Sequence, residues 1–291
     1  MDCGLQTCYS LLPMQPQVTV IIPTYNRAAV LPRALNSVLA QKGVGFEIIV
    51  IDDGSTDGTR ELMAGKYPQV SYYYQENQGP AAARNRGIRY ARSELAAFLD
   101  SDDEWLPGKL QAQVEWLEQN SAYRIVQTQE IWIRNGRRVN PMKKHRKYGG
   151  FIFAKCLPLC IVSPSAVMIH RSLFDDIGMF DESLPACEDY DLWLRIAARF
   201  PIGLIEKPYL IKYGGHADQT SRKYPAMDRF RIQSLMKILK SGILNPEQSA
   251  AARKTLEEKS KIFIQGSLKR NKDREARKLE NLLKDCPILP L

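Results

Sequence analysis

Three carboxylates lie within four positions in the segment AAFLDSDDEW, at Asp100, Asp102 and Asp103. Clustered carboxylates repel one another, so their charge calls for compensation by a cation or a helix dipole. Ser101 and Glu104 have the spacing of a capping box, which would explain an acidic start to a helix. It leaves Asp100 unexplained, because this residue directly follows an apolar run typical of a buried strand. Carboxylates at such a position commonly hold Mg²⁺ or Mn²⁺, so metal binding and helix capping both stay open for this segment.

Polar residues also follow the other short apolar runs of the first half. Runs typical of strands, VTVIIP, FEIIVID, VSYYY and LAAFLD, alternate with helix-like segments from Val18 onward. This alternation predicts an α/β fold with a mostly parallel sheet and helices on both faces. In open α/β sheets, ligands bind at the edge formed by the carboxyl ends of the strands. The polar residues expected at this edge are Thr24 to Asn26, Asp52 and Asp53, Gln75 to Gln78, and the acidic run. Because so many polar groups would lie together there, the pattern favours a ligand site with a metal over simple helix capping.

The charge distribution divides the chain unevenly. Residues 1–221 contain 24 lysines and arginines against 24 acids, whereas residues 222–291 contain 17 against 8. The formal charge of +9 therefore belongs to the last quarter, which is helical by propensity. We predict an N-terminal tail over residues 1–17, an α/β domain over residues 18–221 and a basic C-terminal helical appendage over residues 222–291.

Composition limits the class of protein. With 291 residues, of which 44% are hydrophobic, the chain can bury one large core. It contains no apolar run near the roughly 20 residues that span a bilayer, and its start lacks the basic region of a secretory signal. The six cysteines lack paired zinc-site spacing. We expect a reduced, cytoplasmic protein.

Five motifs together resemble those of the family 2 glycosyltransferases with the GT-A fold, in order and approximate spacing. They are PTYNR from Pro23, VIDDGSTDGT around Asp52 to Thr59, NQGPAAARNRG from Asn77, FLDSDDEW from Phe98, and EDYDLWLR from Glu188. The resemblance covers residues 18 to about 220 and implies a Rossmann-like, mostly parallel mixed sheet. It implies an inverting enzyme that moves a sugar from a nucleotide-diphosphate sugar, most commonly a UDP-sugar, to a hydroxyl of a glycan or lipid-linked acceptor. Such enzymes serve cell-surface polysaccharide or lipopolysaccharide synthesis.

The resemblance also implies a donor site. The motif at the end of the first strand would form the wall beside the nucleobase, with Pro23, Thr24, Tyr25 and Asn26. Asp53 would accept a hydrogen bond from the base, although Asp-Gly pairs also simply make turns. Arg84 would meet the diphosphate or hold an aspartate in place, and its alternative is a solvated position on a helix face.

The metal and the general base follow from the same resemblance. Asp102 would bind Mn²⁺ or Mg²⁺ directly, and Asp100 would contact the ribose or a metal-bound water. His216 would be a further metal ligand, or else a solvated loop histidine. Asp189 would be the general base, with Glu188 as the alternative base; helix capping would also account for both acids.

Other classes fit less well. A Rossmann dehydrogenase would have G-x-G-x-x-G after the first strand, where this chain has PTYNRAA. A non-catalytic sugar-nucleotide binder would lack some of the acids present here. The basic stretch RNGRRVNPMKKHRK and the basic tail suggest nucleic-acid binding, but no recognition motif accompanies them, so we expect no nucleic acid. The tail instead suits peripheral contact with the anionic inner face of a membrane, or packing as a bundle or in a homodimer.

Overall fold

The structure, a computed structural model, describes residues 15–215, 224 and 226–284. Its first half is a parallel sheet in the order β3-β2-β1-β4, in which each connecting helix joins one strand to the next along the chain. The strands are β1 (Val18–Thr24), β2 (Phe46–Asp52), β3 (Ser71–Tyr74) and β4 (Leu95–Phe98). The helices between them are α1 (Leu31–Leu39), α2 (Thr59–Lys66) and α3 (Pro80–Tyr90).

The second half extends the same sheet with mixed pairing. The full order is β3-β2-β1-β4-β8-β6-β9-β5, where β8 runs antiparallel to both neighbours and β9 runs parallel to β6. These strands are β5 (Glu104–Trp105), β6 (Ile125–Arg134), β7 (Arg137–Val139), β8 (Val167–His170) and β9 (Gly203–Gly214). The helices are α4 (Lys109–Gln119), α5 (Phe153–Cys156), α6 (Ser172–Ile177) and α7 (Glu188–Arg199). The predicted α/β class with a mixed sheet is confirmed, and the described strands form four parallel and four antiparallel pairings.

Three helices follow in the basic C-terminal region: α8 (Asp228–Lys240), α9 (Pro246–Leu268) and α10 (Asp273–Lys284). Helix α9 begins with a complete capping box, because the Asn245 side chain accepts from the Gln248 backbone while the Gln248 side chain accepts from Asn245. Helix α8 packs on α7, and α9 packs on α5. Phe230, Leu235 and Leu256 consequently belong to the same buried cluster as Ile21 and Phe98 of the sheet.

One close approach fixes the position of α3 on the sheet. A Cβ atom at Gly87 would lie 2.4 Å from Ile21 Cγ2 on β1, so a larger residue would push the helix away. The same helix carries Arg84, which faces the carboxyl edge of the sheet. Within the residues that the structure describes, every helix is too short or too polar to cross a bilayer.

Candidate active site

Asp53 organises the turn between β3 and α3 at the carboxyl edge. Its carboxylate accepts hydrogen bonds from Gln75 Nε2 at 2.7 Å, from the Gln78 amide at 2.9 Å and from the Gly79 amide at 2.8 Å. Burial raises the pKa of Asp53, and these donors oppose that rise. A carboxylate has about four acceptor positions, so one remains for a further donor. The predicted hydrogen bond to a nucleobase is compatible with this arrangement.

The predicted wall beside the base lies at the end of β1. Pro23 and Thr24 are buried, whereas the Tyr25 ring is 45% exposed at the rim. Asn26 has a left-handed backbone, with φ of 51°, and its side chain accepts from the Thr56 amide at 2.8 Å. Asn26 therefore joins the turn after β1 to the turn after β2, and Tyr25 offers the free aromatic surface.

Arg84 joins the two acidic motifs. Its guanidinium donates to Asp100 at 2.8 Å and to Glu188 at 2.7 Å, and the arginine is buried. Burial would raise the pKa of Asp100, but Arg84 holds it below its usual value. Burial raises the pKa of Glu188, and Arg84 offsets only part of that rise. Of the two roles expected for Arg84, the structure shows that of holding an aspartate.

The acidic run itself does not cap a helix. Residues Glu104–Trp105 form a short strand, and α4 begins only at Lys109 after Gly108, without a side-chain cap. The helix-capping interpretation of Ser101 and Glu104 is therefore wrong. The polypeptide turns back to pair with β9 before it enters α4, so the sequence spacing of a capping box occurs here without its geometry.

Asp102 and Asp103 have different surroundings. Asp103 is buried and accepts from Ser165 Oγ at 2.7 Å and from the Tyr213 amide at 3.3 Å. Burial raises the pKa of Asp103 well above its usual value, and the negative charges of the nearby Asp100 and Asp102 raise it further. The Asp102 side chain is 22% exposed, and its Oδ2 lies 3.6 Å from Arg27 Nη1. Asp100, whose side chain is 28% exposed, and Asp102 are thus the two partly exposed acids of this run, and Asp100 is already paired with Arg84.

The three acids at the start of α7 have three different partners. Glu188 pairs with Arg84, and Asp191 pairs with Arg195 at 2.9 Å. Asp189 instead accepts from the Cys160 thiol, with 3.3 Å between Sγ and Oδ2. Burial and the charge of Asp189 raise the pKa of Cys160 well above its usual value, so the thiol keeps its proton. Asp189 is therefore the one of the three whose described partner is uncharged.

The structure adds three charged residues that were not among the predicted site residues: Lys212, Lys147 and Glu130. Lys212 Nζ donates to Ser163 Oγ at 2.8 Å, and Lys147 lies 3.1 Å from Glu130. Burial would raise the pKa of Glu130, but the two lysines lower it to about 2. Burial alone would lower the pKa of Lys212, but Glu130 and the site aspartates raise it above its usual value. A lysine inside the apolar strand segment YLIKY was the available sequence signal.

The protein offers few oxygens of its own to a divalent cation. Among the described residues, no three histidine, cysteine, aspartate or glutamate side chains are grouped so that they could hold a metal. His216 lies outside the described residues. The Asp102 carboxylate has the oxygen donors that Mg²⁺ and Mn²⁺ prefer, and Asp100 is paired with Arg84. The donor set fits a cation that takes further oxygens from a bound diphosphate.

Arg84 thus joins the acidic run at the carboxyl edge of the sheet to the acids at the start of α7. The model of the family "Glycosyl transferase family 2" matches residues 19–178, more than half of the chain. The chain belongs to glycosyl transferase family 2, which confirms the predicted family.

Individual relatives extend this comparison. An uncharacterized glycosyltransferase of Rickettsia conorii is 36% identical over 193 residues, which are 66% of this chain and 32% of that protein. The chain therefore spans about a third of the length of this relative. The putative teichuronic acid biosynthesis glycosyltransferase TuaG of Bacillus subtilis is 39% identical over 188 residues, 62% of this chain and 72% of that protein.

Solved structures share the fold. TarS residues 1–349 of S. aureus in complex with UDP-GlcNAc superimposes with a TM-score of 0.67 at 22% identity, covering 82% of this chain and 71% of that one. The mannosyltransferase PcManGT of Pyrobaculum calidifontis, in complex with GDP-Man and Mn²⁺, gives a TM-score of 0.60 at 20% identity. It covers 88% of this chain and 76% of that one. The GT-A fold predicted from the motifs is confirmed.

Proposed function

We propose that this protein transfers a sugar from a nucleotide-diphosphate sugar to a hydroxyl of a glycan or lipid-linked acceptor, with inversion at the anomeric carbon. The observation that carries the proposal is the Arg84 bridge, which brings the acidic run after β4 and the start of α7 to one edge. The donor side then lies along β1 and β2, with Tyr25 and Asp53 beside the base. The acceptor side lies at α7.

Asp189 is the proposed general base. Arg84 neutralises Glu188, whereas the described partner of Asp189 is the neutral Cys160 thiol. Asp189 accepts the proton of the acceptor hydroxyl, and that oxygen forms a bond to the anomeric carbon from the face opposite the diphosphate. The bond between this carbon and the diphosphate oxygen breaks, and its electron pair leaves with the nucleoside diphosphate. The Cys160 thiol donates to Oδ2 and the Tyr190 amide donates to Oδ1 at 2.7 Å, and each oxygen has a second acceptor position for the acceptor hydroxyl.

A divalent cation completes the proposed donor site. When bound, Mn²⁺ or Mg²⁺ supplies charge neutralisation for the departing diphosphate. Asp102 would hold it, because this carboxylate is partly exposed whereas Asp100 is already paired with Arg84, and His216 is a candidate for a further ligand. Asp100 contributes by pairing with Arg84 and by facing the ribose. The Mn²⁺ in the PcManGT complex supports this assignment.

The donor and pathway rest on the relatives. UDP-GlcNAc is bound in the TarS structure and GDP-Man in the PcManGT structure, so we propose a UDP-sugar first and test GDP-sugars beside it. The TuaG name supports a role in cell-surface polysaccharide synthesis. The test is a panel of UDP-, GDP- and dTDP-sugars, each with Mn²⁺ or with EDTA, read by thermal shift and by release of nucleoside diphosphate. A donor that stabilises the protein only with metal supports the proposal; no response to any donor contradicts it.

We also propose peripheral contact of the C-terminal helices with an anionic membrane. Ile262 and Leu268 are exposed on α9, and Lys261, Lys269 and Arg270 are exposed beside them. Exposed apolar residues next to cations suit an interface with anionic lipid headgroups. A lipid-linked acceptor would be reached at the same surface.

A further inference from the structure

The segment of residues 131–163, here called the basic segment, borders the proposed active site at three points. Trp132 on β6 pairs with Lys212 on β9. Ser163 accepts the hydrogen bond of Lys212 at 2.8 Å, and Cys160 donates to Asp189 with 3.3 Å between the atoms. The segment therefore runs from the site, out over the surface, and back to the proposed base.

The basic segment carries charge of one sign only. It contains eight lysines and arginines and no aspartate or glutamate. Lys147 is buried and paired with Glu130, and the ion pairs of the described residues include none for the others. A solvated protein surface normally mixes both signs, and an uncompensated group of cations attracts anions over several ångströms. Seven of the eight are exposed: Arg134, Arg137, Arg138, Lys143, Lys144, Arg146 and Lys155.

Aromatic and apolar surface lies among these cations. Phe151 is 78% exposed and Met142 is 61% exposed, which is unusual for side chains of this size. The Trp132 ring lies 5.0 Å from the His145 ring, centroid to centroid. The Arg146 and Lys155 cations each lie 5.4 Å from the centre of the Tyr148 ring. The surface can thus contact both the apolar face of a sugar ring and an anionic substituent.

We propose that the basic segment binds the acceptor, and that the acceptor is a glycan with carboxylate or phosphodiester groups along its chain. This inference rests on the proposed function, because Asp189 marks where the acceptor hydroxyl must lie. The basic segment contacts Asp189 at Cys160, so a ligand bound along the segment would have one end beside Asp189. The nucleotide would instead lie along β1 and β2. The guanidinium groups of Arg137 and Arg138 can each pair with a carboxylate or phosphate through two hydrogen bonds.

The test uses the full chain and two fluorescently labelled anionic probes, an octamer of galacturonate and an octamer of glycerol phosphate. A neutral maltooctaose of the same length is the control ligand, and binding is read by anisotropy. We expect one or both anionic probes to bind and the neutral one not to bind. The variant R137A/R138A/K144A should lower the affinity by about tenfold, because it removes three exposed charge contacts.

A matched variant separates local recognition from net charge. The variant K261A/K269A/R270A removes three exposed cations from the C-terminal helices and should leave probe affinity unchanged. Equal loss in both variants would overturn the proposal, as would binding of neither anionic probe. An octameric single-stranded DNA that binds as tightly as the better glycan probe would also overturn it, in favour of nucleic-acid binding.

The failure of this inference is distinguishable from failure of the proposed function. UDP affinity in Mn²⁺ is measured on the same three proteins, and all three should bind UDP equally, because the substituted residues are exposed and are not among the proposed donor-site residues. If a variant loses both probe binding and UDP binding, it has a folding defect. The single variants R137A and R138A would then be measured. Each should lower the affinity for the probe and leave the affinity for UDP unchanged. If UDP is not bound by the unmodified chain, the donor assignment fails while probe binding still tests the basic segment.

Discussion

Arg84 and Glu188 form a buried ion pair, with 2.7 Å between Nη1 and Oε1, although 104 positions separate them in the chain. The same guanidinium holds Asp100 at 2.8 Å. One cation thus fixes α3, the end of β4 and the start of α7 relative to one another. Because Glu188 is paired with Arg84, we propose Asp189 and not Glu188 as the general base.

Replacement of Arg84 by methionine should destabilise the fold. It leaves the buried Glu188 carboxylate and the partly buried Asp100 carboxylate without their cation, and loss of one partner from a buried pair costs about 3–5 kcal/mol. Urea unfolding of R84M measures this free energy. R89M is the matched control, since Arg89 lies on the same helix in an exposed pair with Glu182, and should change stability by less than about 1 kcal/mol. Equal effects of the two variants would show that the Arg84 bridge contributes nothing particular.

Replacement of Asp189 by asparagine should abolish transfer and spare donor binding. The amide cannot accept the acceptor proton, so kcat should fall by about 100-fold or more while UDP affinity in Mn²⁺ stays unchanged. D175N, at an exposed aspartate of α6, is the control and should be as active as the unmodified enzyme. NMR of the product should show the inverted anomer; a retained configuration would exclude direct displacement.

The metal assignment predicts a variant whose defect depends on the metal. D102A should weaken UDP binding strongly in Mn²⁺ and little in EDTA, because the variant removes the oxygen that would hold the cation. Isothermal titration in both conditions measures the two affinities. D175A serves as the exposed control. Equal affinity of the unmodified protein with and without Mn²⁺ would contradict the metal site.

Because Lys109 is buried, we expect the free energy of unfolding to rise with pH. The Lys109 side chain is fully buried against the Trp105 ring at 4.1 Å, and its Nζ donates to Gln113 Oε1. Burial lowers its pKa well below 10.5. Between that lowered pKa and about 10.5 the unfolded chain binds the proton and the folded chain does not, so stability increases with pH by up to about 1.4 kcal/mol per unit.

The variant K109M should therefore flatten the dependence of the unfolding free energy on pH below about 10.5. Urea unfolding at several pH values measures the slope. Lys42 is exposed, so K42M should keep the slope of the unmodified protein. A slope that K109M leaves unchanged would mean that Lys109 is charged in the folded state.

The membrane proposal predicts salt-dependent flotation. The full chain should float with vesicles containing anionic phospholipid at low salt and be released at high salt, since each basic residue near such a surface contributes about 1 kcal/mol. K261Q/K269Q/R270Q should float less, and R137Q/R138Q/K144Q should float normally. Truncation before α8 would not be informative, because it removes part of the shared core. Flotation that neither variant changes would assign these helices a purely structural role.

The first half of the fold follows from local sequence patterns, and much of the second half does not. Alternating strands and helices over residues 18–98 require only neighbouring contacts, and each predicted strand is present. The pattern of PIGLIEKPYLIKY predicts a pair of strands, but the structure contains one strand, β9. The register with β6 shifts between Thr128 and Glu130, and this bulge accommodates Glu206 and Lys207 without ending the strand.

The site was predictable where residue type alone indicates chemistry. The acids and Arg84 were selected from motifs, but which acid each cation neutralises depends on contacts between distant segments. Lys212 and Glu130 were missed because a single charged residue in a strand resembles a solvent-facing one until the sheet order is known. Cys160 was missed because its role arises only from its position 3.3 Å from Asp189.

The shared core of the C-terminal helices has a consequence for biosynthesis. Apolar surfaces of α5 and α7 are covered by α8 and α9, whose residues leave the ribosome after the whole catalytic sheet has been made. At a synthesis rate of roughly 5–20 residues per second, these surfaces stay exposed for several seconds. A nascent chain paused before residue 228 would therefore present an apolar face on which chaperones can bind or other chains can aggregate.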